Sequence, residues 1–278
     1  MARIISMWSV VMVCALTLAL GVGCEKKPQG TPPAPSPTPA PTTGDAKAPT
    51  PAPAPAPVAA APTGTAVITG TVTVDGTVPE PSVIDMKAKP ECAAHTAKTD
   101  NLLVGADKGL KDCFVHISKG LTGKYSPPAT PAVLDQKGCM YSPHVFGIMV
   151  GQDLEIRNSD PWSHNVNCKD VPPFNAAMVA GQAPIAKKAW FKKKSIPASF
   201  ACDVHPWMSA KACVVENPYY AVTDANGKFS ITGLPAGKYT VEVWHERVPG
   251  LTIAVSTAEV EVKDGETKTQ DFQYKFAN

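Results

Sequence analysis

From residue 65 onward no long stretch repeats its apolar residues every 3.6 positions, and this constrains the fold more than any other feature of the chain. What occurs instead are short runs rich in β-branched and aromatic side chains, separated by Gly, Pro and Asp turns. The folded part is therefore expected to be all-β. Expected strands cover 66–74, 112–118, 145–150, 154–158, 188–191, 199–201, 211–216, 228–231, 239–244, 258–262 and 269–274. Asp224-Ala225-Asn226-Gly227 carries the Asn-Gly pair that accommodates positive backbone dihedrals, so a hairpin turn is expected between Val222 and Phe229.

The N-terminal part is of another kind. Arg3 precedes an apolar run over 4–20, which ends in Gly21-Val22-Gly23 before Cys24. Charged, then apolar, then small is the order of a secretory signal, read as 1–23. The small residues before Cys24 resemble the lipobox of bacterial lipoproteins, and this resemblance implies lipidation of Cys24 and attachment to a membrane through the N-terminal lipid. A signal cut elsewhere, or an uncleaved anchor, is the alternative. Glu25 after the Cys, by resemblance to enteric sorting rules, favours the outer membrane facing the periplasm. Residues 24–64 follow as a Pro/Ala-rich linker that cannot bury a core and samples polyproline II. Its roughly 40 residues would reach on the order of 120 Å when extended.

The formal charge of +2 is close to neutral, so nothing in the balance argues for nucleic acid, and no such partner is expected. Charge clusters only locally, where Lys187, Lys188, Lys192, Lys193 and Lys194 surround Trp190 and Phe191. A solvated strand face accounts for these better than a docking patch for an acidic partner.

The densest chemistry lies in Cys202-Asp203-Val204-His205-Pro206-Trp207-Met208. A thiol, an imidazole and a thioether on one loop between strands can be aimed at a single point. A fourth ligand comes from His164, in Asn158-Ser159-Asp160-Pro161-Trp162-Ser163-His164-Asn165-Val166. Two His and one Cys with a weak axial Met form the trigonal set that suits one mononuclear copper ion. A structural zinc site would replace the Met with a further Cys or His. A dinuclear copper centre needs a second Cys in the ligand loop, and c-type haem needs Cys-x-x-Cys-His where the chain has Cys92-Ala93-Ala94-His95.

The Cys-x-x-His-Pro-aromatic-Met loop resembles that of the cupredoxins, amicyanins in particular. His164-Asn165-Val166 and the turn Met149-Val150-Gly151-Gln152-Asp153 are similar to that family as well. The resemblance implies His164, Cys202 and His205 as equatorial ligands, Met208 as the axial one, and Asn165 pinning the two loops beside the sulfur. Val166-Asn167-Cys168-Lys169 departs from the usual aliphatic continuation. A second resemblance, carried by Thr223–Val243 and by Gly70-Thr71-Val72 with Gly76, is to the carboxypeptidase regulatory-like, transthyretin-type β-sandwich. The expected organisation is a discontinuous regulatory-like sandwich, 65–120 and 218–278, interrupted by a cupredoxin-like Greek-key domain at 121–217. A single enlarged sandwich carrying the copper loops is the alternative.

Apart from Cys14, Cys24 and Cys202, the chain holds Cys92, Cys113, Cys139, Cys168 and Cys213, an odd set in an oxidising compartment. The expected pairs are Cys92 with Cys139 and Cys113 with Cys213, which leaves Cys168 unpaired, as a buried thiol, a redox liability or a rival ligand. His144 is expected to be structural, with an approach to the metal site as the alternative, and His95, His116 and His245 carry no partner pattern.

A nearly closed copper site has no open position for a substrate, so the expected function is electron transfer and not catalysis. By resemblance, His205 is expected near the surface within an apolar rim of Pro206, Trp207 and Trp162. The expected partner is an exported redox protein such as a c-type cytochrome, a dehydrogenase or an oxidase. Copper trafficking or storage in the envelope, and a structural sandwich with a degenerate site, are the alternatives.

Overall fold

The computed structural model describes residues 64–170, 172–246, 248–253 and 256–277. The secretory signal, Cys24 and the linker up to residue 63 lie outside the described residues. In chain order the strands are β1 Ala66–Asp75, β2 Phe114–Lys119, β3 Ala132–Lys137, β4 Met140–Ser142, β5 Val145–Met149 and β6 Leu154–Asn158. Then come β7 His164–Cys168, β8 Phe174–Met178, β9 Ile185–Lys187, β10 Ser195–Ala201, β11 Ser209–Val215 and β12 Tyr220–Val222. The last are β13 Lys228–Leu234, β14 Gly237–Trp244, β15 Leu251–Ile253, β16 Thr257–Val262, β17 Thr267–Thr269 and β18 Phe272–Phe276. A 3-10 turn at Ala106–Lys108 is the one helical element among the described residues, and none of their helices is long and apolar enough to cross a membrane.

These strands make four sheets, packed in pairs as two β-sandwiches. In the first, β13-β1-β18-β15, with β17 beside β1, faces β12-β2-β14-β16. Strict alternation along β1 buries Ala66, Ile68, Val72 and Val74 against Val115, Ile117, Val241 and Val243 of the opposing sheet. Gly70 sits where β1 changes partner from β17 to β18, and a Cβ there would lie 1.9 Å from the Gln270 carbonyl oxygen. Only glycine admits that approach.

In the second sandwich β5-β11-β10-β7-β8 faces β4-β3-β6-β9. Leu134, Leu154, Ile156, Val166, Phe200 and Val214 form its core, all at most 1 % exposed. Full burial of such side chains contributes roughly 1.5–3 kcal/mol each. The strands of this sandwich lie in sequence between β2 and β12 of the first. The two cores meet across a third cluster, in which Phe114 and Tyr220 pack on Val145, Met149, Cys213 and Val215. Gly147 permits this contact, since a Cβ there would fall 2.1 Å from the Tyr220 ring.

The all-β, two-sandwich class is the one expected, with local corrections. Residues 188–191 are not a strand: β9 ends at Lys187 and the chain then turns, with the Ala189 N–H bonded to Asp153 Oδ1 at 2.8 Å. Of the basic residues, Lys187 ends β9, Lys188 lies in the turn, and Lys192, Lys193 and Lys194 follow it. Lys188 pairs with Asp153, and Lys187 lies over the Phe174 ring at 4.0 Å. The turn at Asp224–Gly227 forms, closed by Asp224 N–H to Lys228 O at 3.0 Å with Gly227 at φ +75°, but β12 and β13 on either side of it belong to different sheets.

Candidate metal centre

The hairpin of β10 and β11 carries the ligand loop at its tip. Cys202 follows the last residue of β10 and Met208 precedes the first of β11. Two main-chain bonds close the loop, Cys202 N–H to Met208 O at 3.2 Å and Met208 N–H to His205 O at 2.9 Å. The loop therefore folds back on itself and presents Cys202 and His205 on one side, with Cys202 Sγ 3.6 Å from His205 Nδ1.

His164 is the first residue of β7, and its strand neighbour β10 delivers the ligand loop to the same end of the sheet. His164 Nδ1 stands 3.0 Å from His205 Nδ1, and donor atoms of His164, Cys202 and His205 all fall within 4.8 Å of one another. A metal about 2.0–2.1 Å from each nitrogen and about 2.3 Å from the sulfur fits between atoms so spaced. His164 and Met208 are 1 % exposed, Cys202 3 % and His205 0 %, so the donor set is closed to water. Two imidazoles and one thiol sulfur, with a buried thioether on the ligand loop, make a donor set that suits copper.

Asn165 binds the loops together. Its N–H points at Cys202 Sγ at 3.4 Å, and its Oδ1 accepts the Asp203 N–H at 3.1 Å. The amides of Asn167 and Asn175 donate to the Asp203 carboxylate at 2.8 and 3.0 Å, and the Tyr141 hydroxyl donates to the carbonyls of Asn165 and Ala201. These bonds cross between the strand of His164 and the loop of Cys202, so neither donor can move without the other.

Asp160 is the residue that sequence reasoning missed. Its Oδ2 accepts from His164 Nε2 at 2.8 Å, which leaves His164 Nδ1 free to face the other donors. The same carboxylate accepts from Gly138 N–H at 2.6 Å and Cys139 N–H at 2.9 Å, two left-handed residues (φ +65° and +58°) that form the β3–β4 turn. Burial acts to raise the Asp160 carboxyl, but the Cys139 and Gly138 amides and His164 overcome it and hold the group below its ordinary value. The available signal was an acidic residue four positions before a ligand His in the same loop. A carboxylate on the outer nitrogen of a ligating imidazole orients it and raises its basicity. Asp160→Asn is expected to weaken copper binding about 10- to 100-fold, measured by competition with a chelator of known affinity.

The placement of His205 is a correction. It is not near the surface: His205 is fully buried, and Glu91 Oε1 accepts from His205 Nε2 at 3.3 Å. Of the expected apolar rim, Pro206 is exposed while Trp207 and Trp162 are half-buried. Trp207 donates from Nε1 to Cys139 O at 2.9 Å, and both Trp207 and Trp162 pack on Met86, Cys92 and Cys139. Burial holds the His205 imidazole below its ordinary value.

Cys92 and Cys139 are joined in a disulfide, with Cα atoms 6.0 Å apart. The second expected pair does not form: Cys113 and Cys213 are free buried thiols. Cys113 points into the core of the first sandwich, while its neighbour Phe114 points to the inter-sandwich cluster where Cys213 lies. Successive residues of an extended chain face opposite ways, so the two sulfurs are turned apart. Cys168 is also free and buried, and burial pushes its thiol up to about 11. It lies at the far end of β7 from His164, four residues or about 13 Å away, too far to compete as a ligand. His144 stands apart from the donor set, between Asp100 and Glu246.

One family matches. Residues 211–275 match the sequence model of the carboxypeptidase regulatory-like domain, which covers β11 through most of β18. No curated protein matches the chain. Among solved structures, similar chains include a Cu-containing nitrite reductase from Thermus scotoductus, 24 % identical with a TM-score of 0.29, over 34 % of this chain and 24 % of that one. A purple cupredoxin from Nitrosopumilus maritimus is 23 % identical with a TM-score of 0.26, over 30 % of this chain and 98 % of that one. Amicyanin from Paracoccus versutus is 21 % identical with a TM-score of 0.27, over 36 % and 96 %. This chain thus spans about a quarter of the nitrite reductase. At such scores these are likenesses only, and the donor geometry stands by itself.

Proposed function

We propose that this chain is an exported electron carrier that holds one copper ion on His164, Cys202, His205 and Met208. The observation that carries the reading is the closed triad of His164, Cys202 and His205, with donor atoms within 4.8 Å of one another and almost no exposure. Copper bound there supplies one-electron exchange between Cu(I) and Cu(II). The chain keeps the donors in place through that exchange: the Asn165 N–H faces the sulfur, Asp160 holds His164, and the Asn165–Asp203–Asn175 network ties strand to loop. Burial excludes water, and four protein donors leave no position for a substrate, so the chain is read as a carrier and not an enzyme. Its partner in this reading is an exported redox protein, such as a c-type cytochrome, a dehydrogenase or an oxidase.

The same reading takes 1–23 as a secretory signal, Cys24 as the lipidated residue and 24–64 as a tether that lets the folded part search for its partner from the bacterial outer membrane. It takes 65–120 with 218–278 as a regulatory-like sandwich and 121–217 as the inserted copper domain.

The test is to add Cu(II) to the purified protein. An intense blue thiolate-to-copper band that cycles reversibly in a redox titration, and is lost in Cys202→Ser, is the expected result. A colourless protein would sink the reading, and a coloured one that cannot be cycled would point to copper trafficking.

A further inference from the structure

The segment 82–99 has no role in either sandwich, yet it is built. Ile84 N–H bonds to Ala97 O at 2.9 Å and Thr99 N–H to Ser82 O at 2.9 Å, which closes the loop at its base. Within it, Lys89, Cys92 and His95 donate in succession to the carbonyls three residues earlier, at 2.9 Å each. These turns place Glu91 and Cys92 side by side over the metal donors. A compact loop with its ends joined and its own packed side chains is of the kind that carries function.

Polar and covalent ties run from this loop to the donors through Cys139 and Glu91, beside the packing of Met86 and Trp207 in one cluster. The disulfide from Cys92 ends on Cys139, and both sulfurs lie within 4.8 Å of a His205 nitrogen. The Cys139 N–H reaches the carboxylate that holds His164, while its carbonyl accepts from Trp207 in the ligand loop. Glu91, itself exposed, bonds to His205 Nε2. Cys139 therefore joins the loop to both imidazoles at once.

The geometry points to 82–99 as a tethered cap that belongs to the metal centre: Cys92–Cys139 holds it down, Glu91 positions His205, and together they shut the His205 edge against small molecules and docking partners. This rests on the copper reading for its purpose, but not for its test. A redox partner then meets the outer face of the cap and not the imidazole.

The test uses diethyl pyrocarbonate, which modifies accessible neutral imidazoles, on the metal-free protein with modified peptides mapped by mass spectrometry. His205 is expected to react at least tenfold more slowly than the half-buried His95. In Cys92→Ser/Cys139→Ser its rate should rise at least tenfold, while His116, 2 % exposed in the first sandwich, stays protected and reports an intact fold. If His116 also becomes reactive the double variant has unfolded, and Glu91→Ala, which keeps the disulfide, decides: His205 alone must react severalfold faster. Native His205 as reactive as His95, or no rise in Glu91→Ala and in a folded double variant, overturns the cap. A blue copper band without His205 protection removes the cap and leaves the copper reading, whereas protection without a band does the reverse.

Discussion

His144→Ala is expected to lower stability by about 3–5 kcal/mol at neutral pH, because it leaves two carboxylates facing each other with no cation between them. His144 is 6 % exposed and makes ion pairs with Asp100 Oδ2 at 3.3 Å and with Glu246. Its Nδ1 also lies 3.1 Å from Ser209 O. The residue thus ties Asp100, just after the cap segment, the strand pair β5–β11 and the exit of β14 in the first sandwich. Burial acts to lower the imidazole, but the hydrogen bonds and charges of Asp100 and Glu246 outweigh it and raise the group to about 10. The sign follows from linkage. A group held above its unfolded value of about 6.5 stabilises fully below that pH, and the contribution fades as pH rises through about 10. Urea unfolding between pH 6 and pH 10.5 should therefore show native stability falling by a few kcal/mol, with a flatter profile in His144→Ala. A wild-type protein equally stable at both ends of that range would refute the assignment.

Cys92→Ser/Cys139→Ser should cost a comparable amount, about 4 kcal/mol, through the unfolded state. The bond closes a loop with a sequence separation of 47 residues, and opening it returns that conformational freedom to the denatured chain. Denaturant midpoints of the oxidised protein and the double variant measure this directly. A shift below about 1 kcal/mol would mean that the denatured chain keeps the cap near the β3–β4 turn without the bond. The effect on stability is separate from the effect on His205, which Glu91→Ala isolates.

The candidate loop was legible because its cysteine, histidine and methionine are local. Cys202, His205 and Met208 sit within one turn-and-return between adjacent strands, so their spacing already restricts where the side chains can point. His164 was legible by the Asn165-Val166 that follows it, although it opens a strand that the pattern did not show. In β7, His164, Asn165, Val166, Asn167 and Cys168 contain one aliphatic residue, so no apolar alternation marks them, and burial comes from the sheet around them. The reverse error occurred at 188–191. Lys188-Ala189-Trp190-Phe191 has strand-like content, but Asp153 captures the Ala189 amide and the Lys188 ammonium, and Ala189 turns to φ +42° while Trp190 and Phe191 drop into the core.

The absence of a helical period, with which the chain announces itself, did determine the class: alternation and turn residues act over a few positions, and that is the range over which backbone geometry is set. The ligand loop and the Asp224–Gly227 turn belong to the same local order. Asp160 on His164, Glu91 on His205, Cys139 between both, His144 between two carboxylates and the separation of Cys113 from Cys213 were decided only in three dimensions. Apart from the i, i+4 spacing of Asp160 and His164, each depends on how residues of different strands, loops and sandwiches pack, which no local spacing records. That His164, Cys202 and His205 could converge was readable in the sequence, but whether anything could reach them was settled by packing.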